Sequence, residues 1–224
     1  MYLCYHHNDM DGKASAFHVY RHLERINAHP KASDFIMRGY DEAFSEKDYG
    51  GKDVYIVDLS FTTKSISALF DICEGANSVV WIDHHKSSAE AIEDEHIKSK
   101  LDSYKNLEYF VDTRFSATIL TYLYFAFLFS YETSIAKVIA DSDMDIDIHY
   151  CNDEFTRLSA SIGDYDIILD SLPTYLQYVD RYDRWAYGDD ERPVLFNYGC
   201  KIHSTSLFAY PDKRSRTKTF NSNF

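Results

Sequence analysis

Along the first half of the chain, short apolar runs alternate with longer stretches whose apolar residues recur at helical spacing. Residues 2–6 form a short apolar run, and residues 13–26 follow with Ala16, Phe17, Tyr20, Leu23 and Ile26 on one face. Residues 35–37 are a brief apolar run before a loop at Gly50 and Gly51. Residues 53–59 (DVYIVDL) are β-branched, and residues 62–73 then set Ile66, Leu69, Phe70 and Cys73 on one helical face. Residues 78–83 (SVVWID) read as a third strong strand, residues 89–101 as one charged helix and residues 109–111 as an edge strand. Near-continuously apolar strands alternating with helices predict an α/β fold: a doubly wound, mostly parallel sheet flanked by helices.

Residues 115–131 carry no charge, which brings a membrane span into question. Ser116, Thr118, Thr121 and several tyrosines interrupt the run, and Arg114 and Glu132 bracket it. A helix buried on most of its sides in a globular core is the expectation, and no membrane partner. From residue 132 the strands stop, and helices are expected over 134–139, 154–162 and 167–180, the last broken near Pro173. This gives a helical C-terminal part, one domain over residues 1–200, and a tail over 201–224 whose end is polar and basic (KRSRTK).

Composition narrows the function. Hydrophobic residues make up 45% and charged residues 26% of the 224, ordinary globular usage that leaves room for a sizeable core. Acidic residues number 36 against 23 basic, a net charge of −13, which argues against a surface for duplex nucleic acid. Cys4, Cys73, Cys151 and Cys200 never approach a CxxC spacing, so neither a zinc ribbon nor a disulfide scaffold is indicated. The N-terminus has no basic segment leading into an apolar stretch, and a cytoplasmic location is expected.

Three clusters stand where crossover loops leave the strands. HHNDMDG follows the first strand, Asp58 closes the second strong one, and Asp83-His84-His85 closes the third. In an open parallel sheet ligands bind outside the carboxyl ends of the strands, so the clusters would converge on one edge. Carboxylates and imidazoles without thiolate favour hard or borderline divalent ions such as Mn²⁺ or Mg²⁺. His7, Asp9 and Asp11 alternate and, if extended, would face one side. So many carboxylates cannot sit together ionised without cations, and a two-metal cluster bridged by Asp58 resolves the conflict. Each cluster also has a plain structural explanation, since Asp58 before Ser60 and Thr62 would serve as a helix N-cap.

HNDMDG, VYIVDLS and VVWIDHHKS, in this order, resemble the first three motifs of the DHH phosphoesterase superfamily. FVDTRFSATILTYLYF resembles the family's segment after DHH, and YVDRYDRW its fourth motif. The resemblance implies that His7, Asp9, Asp11, Asp58, His84 and Asp183 hold two Mn²⁺ ions, with Mg²⁺ the alternative and Asp180 the fallback for the last ligand. It implies that His85 faces the substrate phosphate, that Asp83 orients a histidine or supports the site, and that His6 is a neighbour. Arg114 and Lys86 are possible phosphate contacts.

The expected activity is that of a metal-dependent phosphohydrolase, a phosphodiesterase or phosphatase acting on small nucleotides or short oligonucleotides through an activated water. The alternatives are a pyrophosphate or polyphosphate hydrolase, or a non-catalytic nucleotide- or partner-binding protein on the same scaffold. The resemblance also implies a C-terminal associated domain, which has no counterpart before Phe224, and a truncated family member, a fragment, or a second copy or partner that supplies the substrate clamp all remain open. Aromatic residues make up 16%, and Tyr40, Tyr49, Tyr182 and Trp185 are candidate stacking surfaces for a base, although filling a core with their polar tips at its rim is the favoured reading of such residues.

Overall fold

The computed structural model describes residues 1–39, 42–129 and 169–202. The helices expected over 134–139 and 154–162, Tyr40, Cys151 and the tail from residue 203 lie outside the described residues.

Five parallel strands form one sheet: β1 (Tyr2–His7), β2 (Phe35–Arg38), β3 (Asp53–Val57), β4 (Ser78–Asp83) and β5 (Leu107–Val111), in the order β2-β1-β3-β4-β5. Register is set by apolar pairs across the sheet, Tyr5 against Ile56, Ile56 against Trp81 and Trp81 against Tyr109. Successive side chains point to opposite faces. Both faces are apolar, as a parallel sheet covered on both sides requires.

One face carries Cys4, Tyr55, Val57, Ile82 and Phe110, packed with Ala16, Val19 and Leu23 of α1 (Met10–Arg25), Ile119, Leu120 and Leu123 of α6 (Ala117–Phe129), and Leu176 of α7 (Thr174–Asp183). The other carries Leu3, Tyr5, Val54, Ile56, Trp81 and Tyr109. These pack with Tyr49 of α2 (Glu46–Tyr49), Leu69 and Ile72 of α3 (Ile66–Gly75), Ile92 of α4 (Lys86–Ile92), and Ile97 and Leu101 of α5 (Glu95–Ser103). The indole N–H of Trp81, the largest fully buried side chain, donates to the Leu59 carbonyl at 3.0 Å, so its burial leaves no orphaned donor. A last helix, α8 (Arg192–Ile202), packs on α7.

The fold is α/β as expected, and several element boundaries move for local reasons. The charged helix over 89–101 is two helices, because the Asp94 carboxylate accepts from the N–H groups of His96 and Ile97 and starts α5 afresh. The helix expected from residue 62 starts at Ile66, since residues 62–65 close a turn in which Thr62 N–H donates to Ser65 Oγ at 2.9 Å. Pro173 does break the later helix and stands at the N-cap of α7.

Residues 117–129 of the uncharged stretch become α6, and residues 117–125 are buried on nearly every side. Its hydroxyls are satisfied inside the protein: Thr118 Oγ1 donates to the Asp11 carbonyl at 2.9 Å and Thr121 Oγ1 to the Ala117 carbonyl at 2.7 Å. Among the described residues no helix is long and apolar enough to cross a membrane.

Candidate metal centre

The strand order reverses between β1 and β3, which makes the crevice outside their carboxyl ends the switch point of the sheet. His7 is the last residue of β1, and Asp58 follows β3 directly. Asp83 ends β4 on the other side of β3, and His84 and His85 follow it. The Asp58 N–H still donates to the Ile82 carbonyl at 3.0 Å, and Asp58 then takes a left-handed φ of 57°. Aspartate tolerates that region better than most residues, so β3 ends in a sharp bend without a glycine.

The first cluster is a strand-to-helix turn. An extended segment with His7, Asp9 and Asp11 all facing one side does not form, because Asp9 is the N-cap of α1 and Asp11 lies in its first turn. Asp9 Oδ1 accepts from the Gly12 N–H at 2.8 Å, and Oδ2 lies 2.6 Å from His7 Nδ1. A β-carbon on Gly12 would stand 2.4 Å from the His7 carbonyl oxygen, so only glycine allows the turn. Burial alone would raise the Asp9 carboxyl, but the bonds from His7 and Gly12 prevail and hold it at about 2.

Asp11 is fully buried and reaches across to α6. Its two carboxylate oxygens accept from the backbone N–H groups of Ala117 and Thr118 at 2.8 and 2.9 Å. The Ser116 N–H donates to Asp180 Oδ1 at 2.7 Å. Carboxylates from α1 and α7 therefore satisfy the first free N–H groups of α6, where its dipole favours negative charge.

In the third cluster His84 points into the crevice. Its Nε2 lies 3.3 Å from Asp58 Oδ1, 3.4 Å from Asp183 Oδ2 and 3.5 Å from Asp11 Oδ2. Asp83 is buried and turned aside: Oδ1 meets His85 Nδ1 at 2.7 Å and Oδ2 accepts from Ser88 Oγ at 2.5 Å. Burial opposes its ionisation, yet these bonds keep its carboxyl below the ordinary value. Burial likewise opposes the His85 charge, but the Asp83 bond and the nearby carboxylates raise His85 to about 8. Ser88 Oγ also accepts from the Phe61 N–H at 3.1 Å and lies 3.1 Å from the Ser60 hydroxyl, which ties the loops after β3 and β4 together. Nothing in the sequence marks Ser88 beyond its place three residues after His85.

Of the two aspartates considered for the last position, Asp183 joins the cluster, whereas Asp180 is engaged by Ser116 N–H and faces Arg184 Nη1 at 3.6 Å. Arg114 forks onto Asp112, with Nε at 2.9 and 3.0 Å from its oxygens and Nη2 donating as well. Lys86 is exposed and pairs with Glu90 one helical turn on, an ordinary surface ion pair. His6 is buried, its Nδ1 lies 2.9 Å from the His7 carbonyl, and burial lowers it to about 4. Tyr49 belongs to the apolar core and offers no stacking surface. A cleft lined by Tyr55, Val80, Lys105, Glu108, Tyr124 and Phe125 holds none of the predicted site residues.

The donor atoms fall into three overlapping groups: His7, Asp9 and Asp58; Asp58, His84 and His85; Asp11, His84 and Asp183. Within each group they lie no more than 4.8 Å apart. Asp58 belongs to two groups, and its Oδ2 is buried with no hydrogen-bond partner. Burial, then the charges of Asp11, Asp9, Asp83 and Asp183, push its carboxyl well above the ordinary range. Asp183 is raised for the same reasons. An orphaned carboxylate oxygen among like charges is unfavourable in the protein alone and fits a divalent cation with oxygen and imidazole ligands.

Fold and site together define an α/β protein with a carboxylate–histidine cluster, able to hold metal, at the switch point of a parallel sheet. The sequence profile described as DHH family, N-terminal domain, matches residues 1–147. The chain belongs to the DHH family, a family of metal-dependent phosphoesterases. Comparison with curated proteins and with solved structures returned no match.

Proposed function

We propose that the protein is a metal-dependent phosphohydrolase that cleaves phosphate esters of small nucleotides or short oligonucleotides. The observation that carries this reading is Asp58 Oδ2, buried without a partner where the donor groups meet. His7, Asp9 and Asp58 would hold one cation and Asp11, His84 and Asp183 a second, with Asp58 between them. Divalent ions bound there, Mn²⁺ or Mg²⁺, would neutralise the carboxylates and supply a nucleophilic water and charge stabilisation for attack on phosphorus.

The protein's own groups do the rest. Asp83 occupies His85 Nδ1, so His85 meets substrate through Nε2. In the metal-free site the Asp83 bond and the nearby carboxylates raise His85 to about 8, so its imidazole takes up a proton readily. A protonated imidazole donates a hydrogen bond to a phosphoryl oxygen, or a proton to the leaving oxygen, in preference to binding a metal. Asp83, held by Ser88, fixes the ring's orientation. Arg114 would reach the phosphate only by giving up part of its fork on Asp112, so it ranks behind His85 as a contact.

The test is Mn²⁺-dependent hydrolysis of a panel: short RNA and DNA oligomers, cyclic dinucleotides, 3′-phosphoadenosine 5′-phosphate and pyrophosphate. Turnover of a nucleotide substrate that disappears in an Asp58→Ala/His84→Ala variant is the expected result. Turnover of pyrophosphate alone would replace the nucleotide reading, and Mn²⁺ binding without any turnover would leave a binding protein.

A further inference from the structure

Helix α7 ends immediately at the candidate metal centre in a left-handed turn. The Ala186 N–H donates to the Arg181 carbonyl at 2.8 Å and the Trp185 N–H to the Tyr182 carbonyl at 3.2 Å. This is the Schellman pattern, and it places Trp185 at the position that calls for a left-handed residue, usually glycine. Trp185 adopts φ 56° there, and its side chain is 79% exposed. The residue therefore costs backbone energy at a site where glycine would not, and an exposed indole regains little of that through packing. Backbone strain kept without a stabilising return points to function.

The surroundings indicate which function. Trp185 and Tyr187 stand with Tyr182 in a loose aromatic array. The rings of Tyr182 and Trp185 are 6.4 Å apart and 22° from parallel, and those of Tyr182 and Tyr187 are 6.1 Å apart and 14° from parallel. Asp183, whose Oδ2 lies 3.4 Å from His84 Nε2, separates Tyr182 from Arg184 and Trp185. Trp185 follows Asp183 by two residues, so their Cα atoms stand at most about 7 Å apart. Lys201 sets its ammonium 5.8 Å from the Tyr182 ring centroid, which adds positive charge beside the array in a strongly acidic protein.

We infer that the segment Tyr182, Trp185 and Tyr187 is a nucleobase platform, with Trp185 the residue that selects nucleotides over other phosphate esters. The inference rests on the phosphohydrolase reading of the centre and adds the group that distinguishes its substrates. An aromatic array that is exposed at Trp185 and half-buried at Tyr182 and Tyr187, beside the carboxylates, suits a base whose phosphate lies among them, and stacking would tolerate any base.

The test compares AMP with ribose 5-phosphate, which lacks only the base, by calorimetric titration of the Mn²⁺-loaded protein. Trp81 is fully buried, so quenching of tryptophan emission by AMP reports Trp185. The expected result is AMP bound about tenfold or more tighter than ribose 5-phosphate, with quenching by AMP alone. Trp185→Phe keeps most of this preference. Trp185→Gly brings AMP down to the ribose 5-phosphate affinity without lowering the Tm or weakening Mn²⁺ binding. Equal affinities in the unmodified protein, or a preference that survives Trp185→Gly, would overturn the platform while Mn²⁺-dependent binding of both esters kept the metal-centre reading intact. Absence of Mn²⁺-dependent binding by either ester would instead defeat that underlying reading, and the platform with it.

Discussion

Asp58 combines two properties that the protein cannot reconcile by itself. It is fully buried, and its Oδ2 lacks a hydrogen-bond donor while other carboxylates raise the cost of its charge. Removing that charge without changing the shape should therefore help the metal-free protein and harm the metal-bound one. Asp58→Asn is expected to raise the Tm in EDTA by a few degrees and to abolish most of the stabilisation by Mn²⁺. Thermal unfolding with and without the metal reads both. An equal Tm rise by Mn²⁺ in the variant would remove Asp58 from the ligand set. Asp58 and His84 were expected as donors because aspartate and histidine recur at successive strand ends, whereas Asp183, at the end of a helix, was expected only from the resemblance of YVDRYDRW to the family's fourth motif. The partners of Asp83 were only half legible. That it would orient a histidine or support the site was implied by the family resemblance, but Ser88, which fixes its other oxygen, is a common residue whose role depends on where α4 begins.

Among the elements, the joint between β1 and α1 depends most on one residue. Gly12 passes so close to His7 that an added β-carbon meets the His7 backbone N, C and O at 2.4 to 2.8 Å. Backbone cannot swing away as a side-chain end can, so Gly12→Ala must move α1 relative to β1. The expected cost is about 1–3 kcal/mol by chemical denaturation, with a loss of Mn²⁺ affinity because Asp9 and Asp11 shift together. A variant with unchanged stability would show that the turn is looser than its contacts imply. The motif HNDMDG announced the chemistry but not this geometry: alternation suggested an extended segment, whereas N-capping by Asp9 turns the chain into a helix after His7. Helix capping at α6 was hidden more deeply. Its donors are satisfied by Asp11 and Asp180, far away in sequence, and no local pattern records such a pairing.

On the scale of the whole molecule, the cluster should couple metal binding, pH and stability. Burial and mutual repulsion raise Asp58 and Asp183 above the values they have in the unfolded chain. Such groups hold their protons longer when folded, so their contribution to stability is complete at acidic pH and is lost as pH rises through their folded values. Metal-free protein should therefore be less stable at pH 8 than at pH 5. Mn²⁺, which binds the ionised carboxylates, should stabilise more as pH rises. At a hundredfold excess over its Kd the metal contributes about 2.7 kcal/mol, a Tm rise of roughly 5–10 °C for a chain of this size. Unfolding scans from pH 5 to 8 in EDTA and in Mn²⁺ measure the difference, and a Tm rise that stays constant or shrinks with pH would contradict the coupling.

The sequence by itself determined the apolar strands, the helices between them, and the aspartates and histidines placed where loops begin. These are local properties, set by periodicity, capping and residue type. Tertiary structure decided which strands became neighbours. It set β1 beside β3 at the switch point, brought Asp183 from the end of α7 to His84 from the end of β4, and left Asp180 to close the start of α6. It also put Trp185 in a left-handed turn, exposed. The reason is physical: contacts between distant segments depend on how the layers pack and cross over, and hydrophobic spacing along one segment carries no information about the partner it will meet.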